Sequence, residues 1–331
     1  MSSIMTNPSA MTALQSLQAT NKALQTTQSR ISTGLRVSEA ADNAAYWSIA
    51  TTMRSDNKSL SSVQDSLGLG ASRIDTAYTA MDAAIDVADE IKQKIVASIG
   101  ASDSDKAKIQ TEISELQKQL RFVANAATFS GANWLAVDSS LANGHAVAGV
   151  NDGAQIVSSF NRSSNGDITL GMINIDVQSI KLYDAAATTN ETMGILEGLR
   201  LGTTGVRDDT AVDGVAGTVA ATDGYSISTL TVVGFGDDQI AQMLAVVDTT
   251  LAELTDAATT IGAAKKRVDL QKSFTSSLMD SIDRGVGQLV DADMNKESTR
   301  LQALQVQQQL GIQALTIANA NAQNVLSLFR S

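Results

Sequence analysis

The chain has 331 residues with no cysteine, one histidine and one proline, which removes disulfides, thiolate zinc sites, thiol catalysis and any metal site needing two histidines. Its 35 acidic against 24 basic side chains leave a net charge of -11, a balance opposed to nucleic-acid binding. Hydrophobic residues make up 43% but aromatics only 4%, so a core must be aliphatic, and a chain nearly free of proline permits very long helices.

The opening stretch MSSIMTNPSAM lacks a basic n-region and an apolar h-region, so no secretory signal is read. No apolar run reaches the length of a transmembrane helix. Glycine divides the rest: five of the 23 fall in residues 1–137, fourteen in 138–236 and four in 237–331. The middle stretch holds eleven acidic residues against Arg162, Lys181, Arg200 and Arg207, a net -7. An acidic, glycine-rich insert therefore sits between two glycine-poor arms.

In chain order, Pro8 after Asn7 signals a helix start. Ala10, Leu14, Leu17, Asn21, Leu24, Gln28, Ile31 and Leu35 then alternate by four and three, a heptad seam, with Gly34 ending the helix. A longer seam runs through Ile49, Met53, Asp56, Leu60, Val63, Leu67, Gly70, Ile74, Ala77, Met81, Ala84, Ala88, Ile91 and Ile95. Some fifty residues at 1.5 Å each predict a helix of roughly 75 Å, ended near Gly100. Ile109, Ile113, Leu116, Leu120 and Val123 predict a shorter helix folded back antiparallel. In the insert, Gln155–Arg162 and Ile168–Asp176 flank an Asn-Gly turn and predict a hairpin. Tyr225–Val233 alternates and predicts another strand. The C-terminal arm keeps one register from Ile240 through Ile261, Val268 and Met279 to Leu289, with a joint expected at Gly285 and Gly287. A last seam takes Met294, Leu301, Leu304, Gln308, Gly311, Leu315, Ala318, Ala322, Val325 and Phe329. Heptads sustained this long demand a helical partner.

The distribution of charge is the most informative feature. Residues 1–21 and 301–329 carry no charged side chain, yet the second stretch holds ten Asn and Gln residues. A solvated helix carries charges on its outer face, and a membrane helix would not carry ten amides. Uncharged polar faces at both ends predict helices packed by other protein on several sides. Other motifs are weak. His145 has no ligand-spaced partner, and Asp89-Glu90, Asp208-Asp209 and Asp237-Asp238 are neighbours whose side chains diverge. Gly68-Leu69-Gly70 lacks the remainder of a phosphate loop. The glycosylation-type tripeptides at Asn57, Asn161 and Asn190 are expected by chance in a chain so rich in Asn, Ser and Thr.

Residues 12–50, TALQSLQATNKALQTTQSRISTGLRVSEAADNAAYWSIA, resemble the N-terminal signature of bacterial flagellin: A-L-x-x-L-x-x-T-N, R-I-S-T-G-L-R-V, then A-x-D-x-A-A. Residues 288–329 resemble the C-terminal signature through Asp291, Asp293, Gln308, Gln309, Gly311, Leu315, Ala318, Asn319, Val325, Leu326 and Leu328. The ending is similar to flagellins of soil alphaproteobacteria such as rhizobia and agrobacteria. Tyr46-Trp47 departs from the usual Gly-Leu. The insert lies outside the resemblance.

The fold expected is mainly α: a long antiparallel helical bundle and coiled coil built from both chain ends, with a smaller β-rich outer insert. The resemblance implies that residues 1–42 and 288–331 pair as a coiled coil lining a filament channel. Residues 43–137 and 237–287 then form a long-helix bundle and 138–236 a variable outer domain. Because the insert supplies none of the arm seams, deleting roughly residues 140–232 is expected to leave assembly intact. It implies a structural subunit that polymerises into the flagellar filament for motility, with no enzyme activity, cofactor or metal. The alternative is a hook–filament junction protein. An enzyme in the insert of the HExxH type is excluded by the single histidine. The seam expected to carry assembly is Leu14, Leu17, Asn21, Leu24, Ile31, Leu301, Leu304, Gln308, Leu315 and Val325. The partners implied are further copies of the chain, related flagellins, the export apparatus with a cytoplasmic chaperone, hook-associated and cap proteins, and host innate-immune receptors facing residues 29–50 and 89–98. No nucleic acid or membrane partner is expected, and the location implied is extracellular, reached by export without a cleaved signal.

Overall fold

The computed structural model describes residues 7–328 apart from residue 164, with side chains described through residue 320. Five helices dominate: α1 (Pro8–Thr33), α2 (Ala44–Ser98), α3 (Asp103–Ala126), α4 (Asp237–Val290) and α5 (Met294–Leu328). No helix among the described residues is long and apolar enough to cross a membrane. The chain forms two compact units, Met1–Ser59 with Leu278–Ser331, and Leu60–Ser277.

In the first unit α1 starts where its caps dictate. Asn7 Oδ1 accepts from the N–H groups of Ser9 and Ala10 at 3.1 and 3.2 Å, satisfying donors that the first turn leaves free. It ends at Gly34, left-handed at φ 72, whose N–H returns to the Arg30 carbonyl. The chain then pairs with the end of α4. Arg36 and Val37 both donate to the Val290 carbonyl, Ala292 donates to Gly34, and Leu35 bridges Asp291 in antiparallel fashion. Val37, Ala50, Val286 and Val290 make a small core beneath this crossing. Asp42 accepts from the Ser38 and Glu39 N–H groups, and these amides hold its carboxyl below the usual range. The joint expected at Gly285 and Gly287 is absent: α4 is continuous to Val290. A Cβ at 285 would lie 3.4 Å from Met53 Cε, an ordinary contact, and one at 287 2.8 Å from the tip of the Asp291 side chain, so neither glycine bends the helix. The break falls at residues 291–293, where the bridge to Leu35 takes over.

In the second unit the predicted α2 seam is the core. Leu60, Val63, Leu67, Ile74, Ala77, Met81, Ala84, Ala88, Ile91 and Ile95 are all buried. Lys92–Asp248 and Lys265–Asp75 ion pairs run α4 antiparallel to α2. The Lys94–Glu112 pair, with Thr79 and Val123 lining one groove, does the same for α3, as predicted. Ser102 caps α3 by accepting from the Asp105 N–H.

The insert carries the predicted hairpin, β4 (Ala154–Arg162) against β5 (Ile168–Ile175), with a register shift between Val157 and Ser159. The remaining strands among the described residues, three of which precede the insert at residues 128–137, are two or three residues long. They are β1 (Thr128–Phe129), β2 (Ala132–Asn133), β3 (Ala136–Val137), β6 (Tyr183–Asp184), β7 (Arg200–Leu201), β8 (Val212–Asp213) and β9 (Asp223–Tyr225). The strand expected over Tyr225–Val233 is corrected to its first residue. Beyond it the Ser226 hydroxyl bonds those of Ser228 and Thr229, and Leu230 N–H closes a turn onto Ser226. These side-chain bonds compete with a ladder.

The insert is not walled off from the helices. Ile156, Ile173, Ile175, Ile180, Leu182, Ile195, Ile227 and Val232 belong to the same buried cluster as Leu67, Ile74, Leu120 and Val247. Gly70 makes this contact possible: a Cβ there would meet Ile156 Cδ1 at 2.6 Å and Cγ2 at 2.7 Å. Of the Gly68-Leu69-Gly70 stretch, Gly70 alone is thus a packing notch, since a Cβ at Gly68 would meet nothing within 4 Å. Two polar clamps reinforce it. Glu253 on α4 is held by both Arg200 and Arg207. Lys181 Nζ lies 2.6 Å from Asp184 Oδ2, with both side chains fully enclosed. Burial alone would raise the Asp184 carboxyl, but Lys181 and the Ser139 and Ala186 amides outweigh it and hold the pKa below the ordinary value.

Candidate assembly surface

The terminal helices α1 and α5 lie antiparallel within the first unit, and three polar contacts mark their alignment. Asn7 Nδ2 donates to the Ala318 carbonyl at 2.9 Å. Gln308 Nε2 donates to Asn21 Oδ1 at 2.7 Å. Arg30 Nη1 lies 3.4 Å from Glu297 Oε1. Between the first two, Gly311 faces Leu17: a Cβ at 311 would stand 3.2 Å from Leu17 Cδ1, so the backbones approach where α5 has no side chain.

The α5 seam falls where the heptads put it. Leu304 is 9% exposed, and Leu301, Gln308, Gly311, Leu315 and Ala318 are half-buried on the same stripe. Val325 lies outside the described side chains. On α1 the helix is turned by about one residue from the predicted seam. Thr20 and Thr27 are the buried positions, while Leu17, Asn21, Leu24 and Ile31 are half-buried around them. Leu14 is 45% exposed and stands on the flank, as does Gln28. Ala13, Leu17, Thr20, Leu24, Thr27 and Ile31 follow the same alternation beside Asn21, and Thr20 satisfies its hydroxyl within the helix on the Ser16 carbonyl.

A second stripe went unread. Val306, Leu310 and Ile317 recur at four and seven residues and, at 100° per residue, face away from Leu304. They are exposed, Leu310 by 58%. Met11 and Leu14 on α1 are likewise uncovered. A helix apolar on opposite faces is a helix meant to be covered on both, and the outer stripe is set in a surface without charge. The signal lay in the same stretch of sequence, offset from the seam by half a turn.

Elsewhere the chemistry is sparse. His145 Nδ1 stands 3.5 Å from Asp152 Oδ2, a neighbour seven residues on that the linear reading passed over. Among the described residues no group of three or more His, Asp or Glu is placed to hold a metal ion. Asp237 is used structurally, accepting from the Gly100 N–H and pairing with Lys106.

Paired terminal helices that leave apolar side chains exposed along charge-free stretches are the architecture of a helical structural subunit. The family profile of the bacterial flagellin N-terminal helical region matches residues 4–139, and that of the C-terminal helical region matches residues 244–329. Over the full length of both chains the sequence is 50% identical to flagellin C of Rhizobium meliloti strain 1021. On the same full coverage it is 46% identical to a flagellin of Brucella melitensis biotype 1 and 41% to flagellin A of Rhizobium meliloti. The chain belongs to the bacterial flagellin family, the structural subunits that polymerise into the flagellar filament.

Proposed function

We propose that filament growth proceeds by covering the outer faces of the α1–α5 pair with further copies of the chain. The single observation that carries this is the uncovered stripe Val306, Leu310 and Ile317 on a helix whose opposite stripe is already spent on α1. In the filament, residues 1–42 and 288–331 form the inner coiled coil around a channel, residues 43–137 and 237–287 the next layer, and 138–236 the part turned to solvent. Amides rather than charges line or flank the channel, where a wet wall is needed but like-charge crowding among many copies would be costly. The assembly seam is that named above, Leu14, Leu17, Asn21, Leu24, Ile31, Leu301, Leu304, Gln308, Leu315 and Val325, extended by the outer stripe.

The chain works by polymerisation and not by catalysis. It leaves the cell through the flagellar export channel, with a cytoplasmic chaperone covering it beforehand, and meets hook-associated and cap proteins at the filament ends. Related flagellins co-assemble with it. Residues 29–50 should act as a weak or silent ligand of a plant flagellin receptor, because the bulky Tyr46-Trp47 pair stands where that family usually has Gly-Leu. An extracellular life agrees with a chain without cysteine. The experiment is seeded polymerisation of the purified chain followed by electron microscopy. Long filaments grown from the chain alone support the reading, and a chain that only caps seeds opposes it.

A further inference from the structure

We propose that Asn21 and Gln308, with the notch at Gly311, set the register of α1 against α5. The proposal rests on the filament reading above, and its test separates the two. Heptad seams repeat every seven residues, so a pair held only by aliphatic contacts matches nearly as well after a slip of one heptad, about 10 Å. Slipped one way, Asn21 faces Leu315 and Leu17 faces Ala318. Slipped the other way, Asn21 faces Leu301 and Leu17 collides with Leu304. Either slip strands a partly buried amide opposite leucine, whereas in register the amides meet at 2.7 Å. A polar pair at a seam position selects register in this way at some expense of stability.

The other polar contacts discriminate less. Asn7 bonds a backbone carbonyl, which every residue offers. Arg30–Glu297 sits near one end of the pair. Asn21–Gln308 and Gly311 lie well inside it. Gly311 adds direction: Leu17 is accommodated there because position 311 has no side chain, and the slip that removes the notch puts leucine on leucine.

A chain without cysteine allows a direct reading by engineered disulfides. A Cβ at 311 would lie 3.9 Å from Leu17 Cβ, within disulfide geometry, so L17C/G311C reports the native register. L17C/A318C reports the slipped one, and a heptad of travel makes the two exclusive. Both pairs are placed in the native background and in N21L/Q308L, polymerised on seeds, oxidised and mapped by mass spectrometry, with unpolymerised chain analysed alongside. In the native background L17C/G311C closes and L17C/A318C closes at less than about one twentieth of its yield. In N21L/Q308L the slipped yield rises at least fivefold, while N21Q/Q308N restores native-only closure. Unchanged native-only closure in N21L/Q308L overturns the proposal. So does closure of neither reporter there, since two leucines should strengthen an apolar seam. If the native chain forms no filaments, the filament reading fails on its own account, and the register ratio is still read from the unpolymerised chain.

Discussion

Replacing Leu310 by arginine separates the contact within the chain from the contact between chains. Leu310 is 58% exposed on the single chain, so Leu310→Arg should change its stability by no more than about 0.5 kcal/mol. On the proposed assembly the outer stripe is covered in the filament. Completing the burial of a leucine already partly covered contributes roughly 1–1.5 kcal/mol of the ~1.5–3 for the whole side chain. An unpaired charge enclosed at the same place adds about 3 kcal/mol or more. At ~1.4 kcal/mol per factor of ten, the critical concentration for growth should rise by at least about 100-fold. Leu310→Ala, which removes only the apolar term, should raise it about fivefold. Leu304→Arg acts differently. That side chain is 9% exposed against α1, so the variant loses the helix pair in the free chain as well as the filament. Sedimentation of seeded reactions gives the critical concentration, and amide exchange over α1 and α5 gives the state of the pair. A Leu310→Arg chain that polymerises within twofold of the parent would show that the outer stripe stays wet and that assembly uses another face.

Deleting residues 140–232 should destabilise the helices of the second unit, contrary to the reading of the insert as dispensable. Each of the deleted side chains Ile173, Leu182 and Ile195 is buried in the shared core and contributes about 1.5–3 kcal/mol, a sum comparable to a domain's net stability; thermal unfolding of the deleted chain checks it. Gly70→Ala should lower Tm, because overpacking against Ile156 costs about 1–3 kcal/mol and exceeds the ~1 kcal/mol that alanine returns to a helix. Acid should loosen the insert through Asp184. Its folded pKa is depressed, so the unfolded chain binds the proton first, and the stabilisation is complete above an unfolded value of about 3.9 and is lost as pH falls through the folded one. Fluorescence of buried Trp134 against pH should show this, and Asp184→Asn should flatten it. Limited proteolysis of the free chain should cut within α1 and α5 before α2, α3 or α4, whereas filaments should resist throughout.

The long seams were legible because burial on one side imposes a period that survives any choice of aliphatic residue. From Leu60 to Ile95 each predicted position on α2 is buried. The Asn-Gly hairpin was legible because its turn needs residues that tolerate positive φ, and Gly166 has φ 93. What failed depended on partners distant in sequence. Nothing near Glu253 announces Arg200 and Arg207. Tyr225–Val233 alternates like a strand, yet Ile227, Leu230 and Val232 reach the core from turns. On α1 the spacing points to Leu17, Asn21, Leu24 and Ile31, which are half-buried, but not to the most buried positions, because Thr20 and Thr27 compete poorly with leucine in any hydrophobic count.

That choice of small and polar seam residues ties folding to assembly. The α1–α5 interface is made largely of Thr20, Thr27, Asn21, Gln308, Gly311 and Ala318, and of leucines that, Leu304 apart, are only half-buried. Such an interface does little to offset the ordering of helices of 26 and 35 residues, when each residue fixed costs about 1–2 kcal/mol of backbone entropy and an isolated helix is marginal. On the proposed assembly the missing stabilisation lies on the outer stripe and is released when another copy covers it, so whatever binds the paired helices also orders them. Nucleation then requires several copies to order together, while growth adds one copy to a face already ordered. Growth on seeds should therefore outrun spontaneous nucleation by a wide margin, which confines polymerisation to existing ends and leaves the chain dispersed elsewhere.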